Sequence, residues 1–171
     1  VFGGAGWVLF AADKHAKLEV YNDINGNLVN LFKCTKYHPD ALQKELEFIL
    51  MYREQFWDAR KQMDVAGLTD IQRAARFFVV IKESFGADMH SFCLKSRNME
   101  KTIDYITSIS KRLNTVVIEN LDFEHFSEVD KKKLLDKSLD ITYITLQNPK
   151  DLRGIFYIFE RTFCVNRKCS K

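Results

Sequence analysis

The feature that most constrains the fold lies in the first 32 residues. Val1-Phe2-Gly3-Gly4-Ala5-Gly6 is a glycine-rich turn, and Val20-Tyr21-Asn22-Asp23-Ile24-Asn25 reads as a short strand ending in an acid seventeen positions after Gly6. Glycines let a backbone turn sharply and pass close to a bound group. A carboxylate at the tip of the following strand is placed to accept hydrogen bonds from two ribose hydroxyls. Nucleoside-cofactor sites on α/β sheets use this pairing. Each half also has a plainer reading: Gly3–Gly6 as a tight turn, and Asp23 or Asn25 as a helix N-cap. The strand that should lead into the turn is almost absent, because the sequence begins at Val1.

With 171 residues the chain is one domain or most of one, and fourteen Phe suffice for a sizeable core. No run of about 18 apolar residues is present, so no membrane-spanning helix is expected. Residues 1–12 are apolar but lack the basic start and cleavage site of a secretory signal. The missing initiator Met suggests trimming or a fragment. Cys34, Cys93, Cys164 and Cys169 are scattered, and with the isolated His15, His38, His90 and His125 they form no zinc pattern. Free thiols, no metal and a cytoplasmic location are the expectations. Net charge is +3, but residues 131–171 hold ten basic and four acidic residues. This basic tail is either ordinary solvated surface or an attraction for phosphate.

Periodicity supplies the elements. Trp7–Ala12 can start a helix, Leu18–Asn22 reads as a strand, and Leu28, Leu31 and Phe32 repeat at helical spacing. Pro39 suits the first turn of a new helix, and Leu42, Leu46, Ile49, Leu50 and Phe56 predict one long helix from Asp40 to about Met63. Gly67 breaks the pattern. Thr69-Asp70-Ile71-Gln72 has the form of a capping box, opening a helix through Ala74, Phe77, Phe78 and Ile81 towards Phe85, with Gly86 ending it. Residues 87–98 read as an irregular loop. Met99–Leu113 is helical again, with Ile103, Ile106, Ile109 and Leu113 in phase. Thr115–Glu119 is a strong short strand, with Asn120-Leu121-Asp122-Phe123 at its carboxyl end. Leu139–Leu146 is a further candidate strand, and Leu152–Phe159 fits either strand or helix.

These segments match a family. Phe2-Gly3-Gly4-Ala5-Gly6 resembles the Phe-x-Gly-x-Gly motif of S-adenosylmethionine-dependent methyltransferases. Asn22-Asp23-Ile24-Asn25 with Leu28, Asn30 and Phe32 is similar to the second motif of the Dam-like class of DNA adenine methyltransferases. Arg73-Ala74-Ala75-Arg76-Phe77-Phe78 running into Lys82-Glu83-Ser84-Phe85-Gly86 resembles a helical segment of that class. Val116–Phe123 resembles the strand and Asp-Phe pair that precede its catalytic motif. The likeness covers about residues 1–128 and rests on four pieces in the right order.

The resemblance implies an α/β fold: an incomplete Rossmann-like methyltransferase sheet with a large helical insertion. Residues 1–38 and 114–130 would form a partial cofactor-binding core, 39–113 a helical insertion facing DNA, and 131–171 a basic tail. Phe2, Gly3, Gly4, Ala5 and Gly6 would line the methionine part of S-adenosylmethionine. Asp23 would take the ribose hydroxyls, Ile24 would pack on the adenine face, and Asp122 would meet the adenine amine with Phe123 beside it. Arg73, Arg76, Lys82, Lys95 and Arg97 would face double-stranded DNA. The plainer readings are a solvated helix face for Arg73 and Arg76, core for Phe77, Phe78 and Phe85, and a helix cap for Asp122.

The chemistry of that class needs one more motif, Asp-Pro-Pro-Tyr or its Asn variant. Its polar side chain and a backbone carbonyl accept the hydrogens of the adenine amine, and its Tyr stacks on the flipped-out base. The prolines here are Pro39 and Pro149, so no Pro-Pro pair exists, and Asn148-Pro149-Lys150-Asp151 is a poor echo. An upstream Gly-Gly-Lys signature also lies outside the sequence. The expectation is a truncated or frameshifted adenine-specific enzyme of phage or bacterial restriction-modification style, without a catalytic motif and inactive alone. The alternative is a non-catalytic DNA- or partner-binding module, recognised by steep salt dependence. Another adenosine-cofactor enzyme would share only the glycine turn and Asp23.

Overall fold

A computed structural model describes residues 3–49, 52–93, 99–122, 124–125 and 141–143. Their elements are α1 (Trp7–Phe10), β1 (Leu18–Asn22), α2 (Gly26–Tyr37), α3 (Pro39–Glu47), α4 (Arg53–Gln62), α5 (Asp70–Glu83), α6 (Met99–Leu113), β2 (Val116–Glu119) and β3 (Ile141–Tyr143), with a 3-10 turn at Phe85–Ala87 between α5 and α6. The three strands form a parallel sheet in the order β2-β1-β3. Glu19 lies opposite Val116 and Asn22 opposite Glu119 on one side of β1, and Leu18 opposite Ile141 on the other. Parallel neighbours need crossover connections. Between β1 and β2 that connection comprises α2 through α6, so the expected mixed α/β fold, an incomplete Rossmann-like sheet with a large helical part, is what the chain forms.

Local chemistry explains the helix starts. Asn25 caps α2 by accepting from the amides of Asn27 and Leu28, and Pro39 occupies the first turn of α3, where its missing N–H has no intrahelical use. The capping box of α5 is formed in full: Thr69 accepts from Gln72, and the Gln72 side chain accepts from the Thr69 amide. α5 is the central helix. Ala74, Ala75, Phe77, Phe78, Val79, Val80 and Ile81 are all buried, and the helix packs against α2, α3 and α4. A helix apolar on nearly all sides belongs inside. α6 turns Ile103, Ile106, Ile109 and Leu113 inward as its spacing predicts. One continuous hydrophobic cluster runs from Ala5 and Tyr21 through the helices to Val116 and Ile118.

Two expectations are corrected. The long helix predicted for Asp40–Met63 is two helices: α3 ends at Glu47, and α4 begins at Arg53 after an extended Tyr52 with φ −149° and ψ 163°. The apolar stripe Leu42–Leu46–Ile49 meets Arg53 and Glu54 where its next turn should fall, so nothing apolar holds a continuous helix to the core. The helix predicted to reach Phe85 ends at Glu83, because Ser84 adopts extended backbone with ψ 154° and bridges to Phe92. Leu152–Phe159 and the basic tail, beyond Ile141–Tyr143, lie outside the described residues.

Candidate cofactor crevice and its surroundings

The glycine turn and the acid at the end of β1 meet directly. The Gly4 amide donates to Asp23 Oδ2 at 2.7 Å, the Asn25 amide donates to Asp23 Oδ1 at 2.8 Å, and the Gly3 amide donates to the Asn22 carbonyl at 2.7 Å. Tyr21, the largest buried side chain of β1, donates its hydroxyl to the Gly4 carbonyl at 2.6 Å. Its ring lies so close to Gly3 that a β-carbon there would overlap it. Gly6, the N-cap of α1, has φ 73°, and a β-carbon would come within 2.9 Å of the Phe10 ring. Both glycines are therefore needed for shape, one for close approach and one for left-handed backbone. Burial, with the neighbouring Asp23 charge adding to it, holds the Tyr21 phenol well above its ordinary value, so it stays a donor.

Asp23 is 6 % exposed, so the carboxylate is nearly enclosed. Two backbone amides use two of the roughly four acceptor positions on a carboxylate, which leaves room for further donors. Ile24, next to it, is 59 % exposed, a large apolar side chain facing outward at the strand tip. A near-buried carboxylate with spare lone pairs beside an exposed apolar surface is the acceptor and packing set that a ribose and a flat base require. Phe2, expected in the same crevice, lies outside the described residues.

The strand ends are laced together. The Asn22 amide donates to the Leu121 carbonyl at 2.9 Å and accepts from the Leu121 N–H at 2.8 Å, continuing the ladder with a side chain. Asn120 donates to the Asp23 carbonyl at 2.7 Å. Asp122 therefore stands at the same carboxyl edge of the sheet as Asp23. It is exposed, and it accepts from the His125 amide at 2.9 Å and pairs with His125 Nδ1 at 2.7 Å. These His125 contacts, the backbone one foremost, hold its carboxyl below the usual value. Phe123 lies outside the described residues.

Arg112, from the last turn of α6, forms a two-pronged ion pair with Glu19 of β1 at 2.7 and 2.9 Å. The same guanidinium donates to the Leu9 and Ala12 carbonyls, both at 2.8 Å, and so fixes the end of α1 behind the glycine turn. Burial pushes the Glu19 carboxyl up, but the Arg112 hydrogen bonds, the His15 amide and the Arg112 charge bring it below its ordinary value. Tyr21, Asn22 and Asn120 stand in motifs quoted from the sequence but were given no role there, and the Glu19–Arg112 pair was not foreseen. Two asparagines at the ends of two adjacent strands were the available signal.

The D12 class N6 adenine-specific DNA methyltransferase profile matches residues 1–144. The chain belongs to this family. A comparison with curated proteins gives no match. Membership of the D12 class associates the chain with S-adenosylmethionine and DNA. Among the described residues no group of His, Cys, Asp and Glu could hold a metal ion, and no helix is long and apolar enough to cross a membrane.

The D12-class helical part distributes its cations unevenly. Arg73 is partly exposed and pairs with Asp70 at 3.0 Å on its own helix. Arg76 turns inward, donating to Gln62 at 2.7 Å and to the Gln72 carbonyl at 3.1 Å, with Glu45 at 3.4 Å. Lys82 is buried. Lys95 and Arg97 lie outside the described residues. Sequence reasoning passed over Arg53, Arg60 and Lys61 on α4. Two of them lie over aromatic rings, Arg53 at 5.0 Å from the Phe92 centroid and Arg60 at 5.6 Å from that of Trp57.

Proposed function

We propose that the chain is a fragment or degenerate form of a site-specific DNA adenine methyltransferase that holds S-adenosylmethionine in the crevice between the glycine turn, Asp23 and Ile24. The observation that carries this reading is the Gly4 amide seated on the Asp23 carboxylate at the carboxyl ends of two parallel strands. Open α/β sheets hold ligands there. Phe2 and Gly3–Gly6 line the methionine part, Asp23 accepts from the ribose hydroxyls, Ile24 covers the adenine face, and Asp122 with Phe123 meets the adenine edge. When bound, S-adenosylmethionine supplies a sulfonium methyl group. The residues of this chain bind and orient it.

Double-stranded DNA is the proposed partner of the helical part, met by Arg73 with Lys95 and Arg97. Lys82, enclosed in the core, takes no share, and Arg76 works within the fold. Transfer to an adenine amine needs paired acceptors for its hydrogens and a ring that stacks on the flipped base. With Pro39 and Pro149 as its prolines, the sequence has no Asp-Pro-Pro-Tyr string, so the chain alone transfers no methyl group.

Titration calorimetry with S-adenosylmethionine tests the binding half. Measurable heat is expected, weakened about tenfold or more by Ile24→Asp, which sets a charge against the adenine face. Absence of heat at millimolar ligand would end the cofactor reading. Incorporation of labelled methyl into adenine-containing duplex DNA by the chain alone would overturn its proposed inactivity.

A further inference from the structure

A second cleft lies on the helical part, away from the glycine turn. It encloses about 430 Å³ and is lined by Trp57, Arg60, Lys61, Met63, Asp64, Met89 and His90. One wall is α4, on which residues 53, 57, 60 and 61 share a face by helical spacing. Arg60 is aimed by two partners: it lies over the Trp57 ring, and its Nη2 meets His90 Nδ1 at 2.8 Å. A guanidinium held in this way keeps other N–H groups for a ligand, at a smaller entropic cost than a free side chain.

The other wall is the segment 85–92. Its ends are tied by the Ser84–Phe92 bridge, the Phe85 amide on the Ser91 carbonyl at 2.9 Å and the Cys93 amide on the Glu83 carbonyl at 2.7 Å. Inside it, Asp88 accepts from the amides of His90 and Ser91. Ala87 and Met89 both have φ 60°, left-handed backbone that side chains with a β-carbon seldom adopt. This closed, strained segment is what delivers Met89 and His90 to the cleft. Such strain persists only where the surroundings enforce it, and it concentrates at ligand sites.

A pair of cations, Arg60 and Lys61, partly balanced by Asp64 and set beside an apolar and aromatic wall, is the chemistry of a nucleic-acid strand contact. We propose that this cleft is a nucleotide subsite for DNA. One phosphodiester sits on Arg60 and Lys61, and the adjoining sugar and base lie against Trp57, Met63 and Met89. The inference rests on the DNA-binding reading above and names where on the helical part the strand is gripped.

Trp7 and Trp57 are the tryptophans of the chain, so the full chain carrying Trp7→Phe reports from Trp57 alone. Titration with a short DNA duplex at several salt concentrations is expected to change Trp57 emission. Arg60→Gln and Lys61→Gln should each weaken binding about tenfold, and each should lower the slope of log affinity on log salt by about 0.9. Lys61 is exposed on its helix, so Lys61→Gln keeps the test decisive should Arg60→Gln fail to fold. Duplex binding with unchanged affinity and slope in the folded variants overturns the subsite and leaves the DNA reading standing. No duplex binding to the parent chain at any salt overturns both. Inorganic phosphate that displaces the duplex at the concentration expected of a tight anion site also overturns the proposal, in favour of a free-anion pocket.

Discussion

Tyr21 shows how much of the crevice depends on single side chains. Its ring fills the space that Gly3 leaves open, and its hydroxyl holds the Gly4 carbonyl. Tyr21→Phe keeps the ring and strands that buried carbonyl, at an expected cost of about 1–3 kcal/mol in a urea titration. Because the folded state raises the phenol's pKa, the stability linked to it is complete below the unfolded value near 10 and declines above it. The decline should vanish in Tyr21→Phe. Cys34 gives a second check. Burial, reinforced by the Asp70 charge and opposed by Arg73, pushes its thiol up to about 11. Iodoacetamide at mildly alkaline pH should therefore spare Cys34 in the native protein and modify it only after unfolding. Rapid native labelling would contradict its placement on the buried face of α2.

Among the elements, the join between α6, β1 and α1 is the most exacting. Removing Arg112 as Arg112→Met leaves the Glu19 carboxylate buried without its partner, a change worth about 3–5 kcal/mol in thermal or urea unfolding. Since Glu19 is held below its ordinary value, the pair's contribution is present above the unfolded value near 4.5 and is lost as pH falls through the lower folded one. Acid titration of stability should show this loss in the parent and not in Glu19→Gln. The elements themselves were largely legible in the sequence. Strand Leu18–Asn22, helix Met99–Leu113, the Pro39 start and the Thr69 capping box each carry a local signal strong enough to fix a boundary. The split between α3 and α4 was missed because the surrounding Leu, Ile and Phe positions keep nearly helical phase across a charged turn. The burial of Lys82 was missed because counting charge ignores its setting. The run Phe77–Ile81 just before it was already apolar on every face. The bonds of Asn22 and Asn120 were missed for a different reason: beyond two asparagines at strand ends the sequence carries no sign of them, because their partners are backbone groups about a hundred residues away.

For the molecule as a whole, the buried cluster joins the glycine turn, the sheet and the helical part without a gap. A chain with one core unfolds as one unit. Trp7 belongs to α1, next to the glycine turn, and Trp57 to α4, so variants retaining one tryptophan each report from different elements. Their urea midpoints should coincide, once corrected for each substitution's own effect on stability. Separate midpoints would mean that the helical part folds independently of the sheet.

The amide pairing of Asn22 with Leu121 has a geometric consequence. Sliding β2 along β1 by a single residue would tear both bonds of that pair and the Asn120 link together, while turning the Val116 and Ile118 side chains to the wrong face. The separation between the two aspartates at the sheet's edge is thus inherited from a strand alignment that has nowhere to slip.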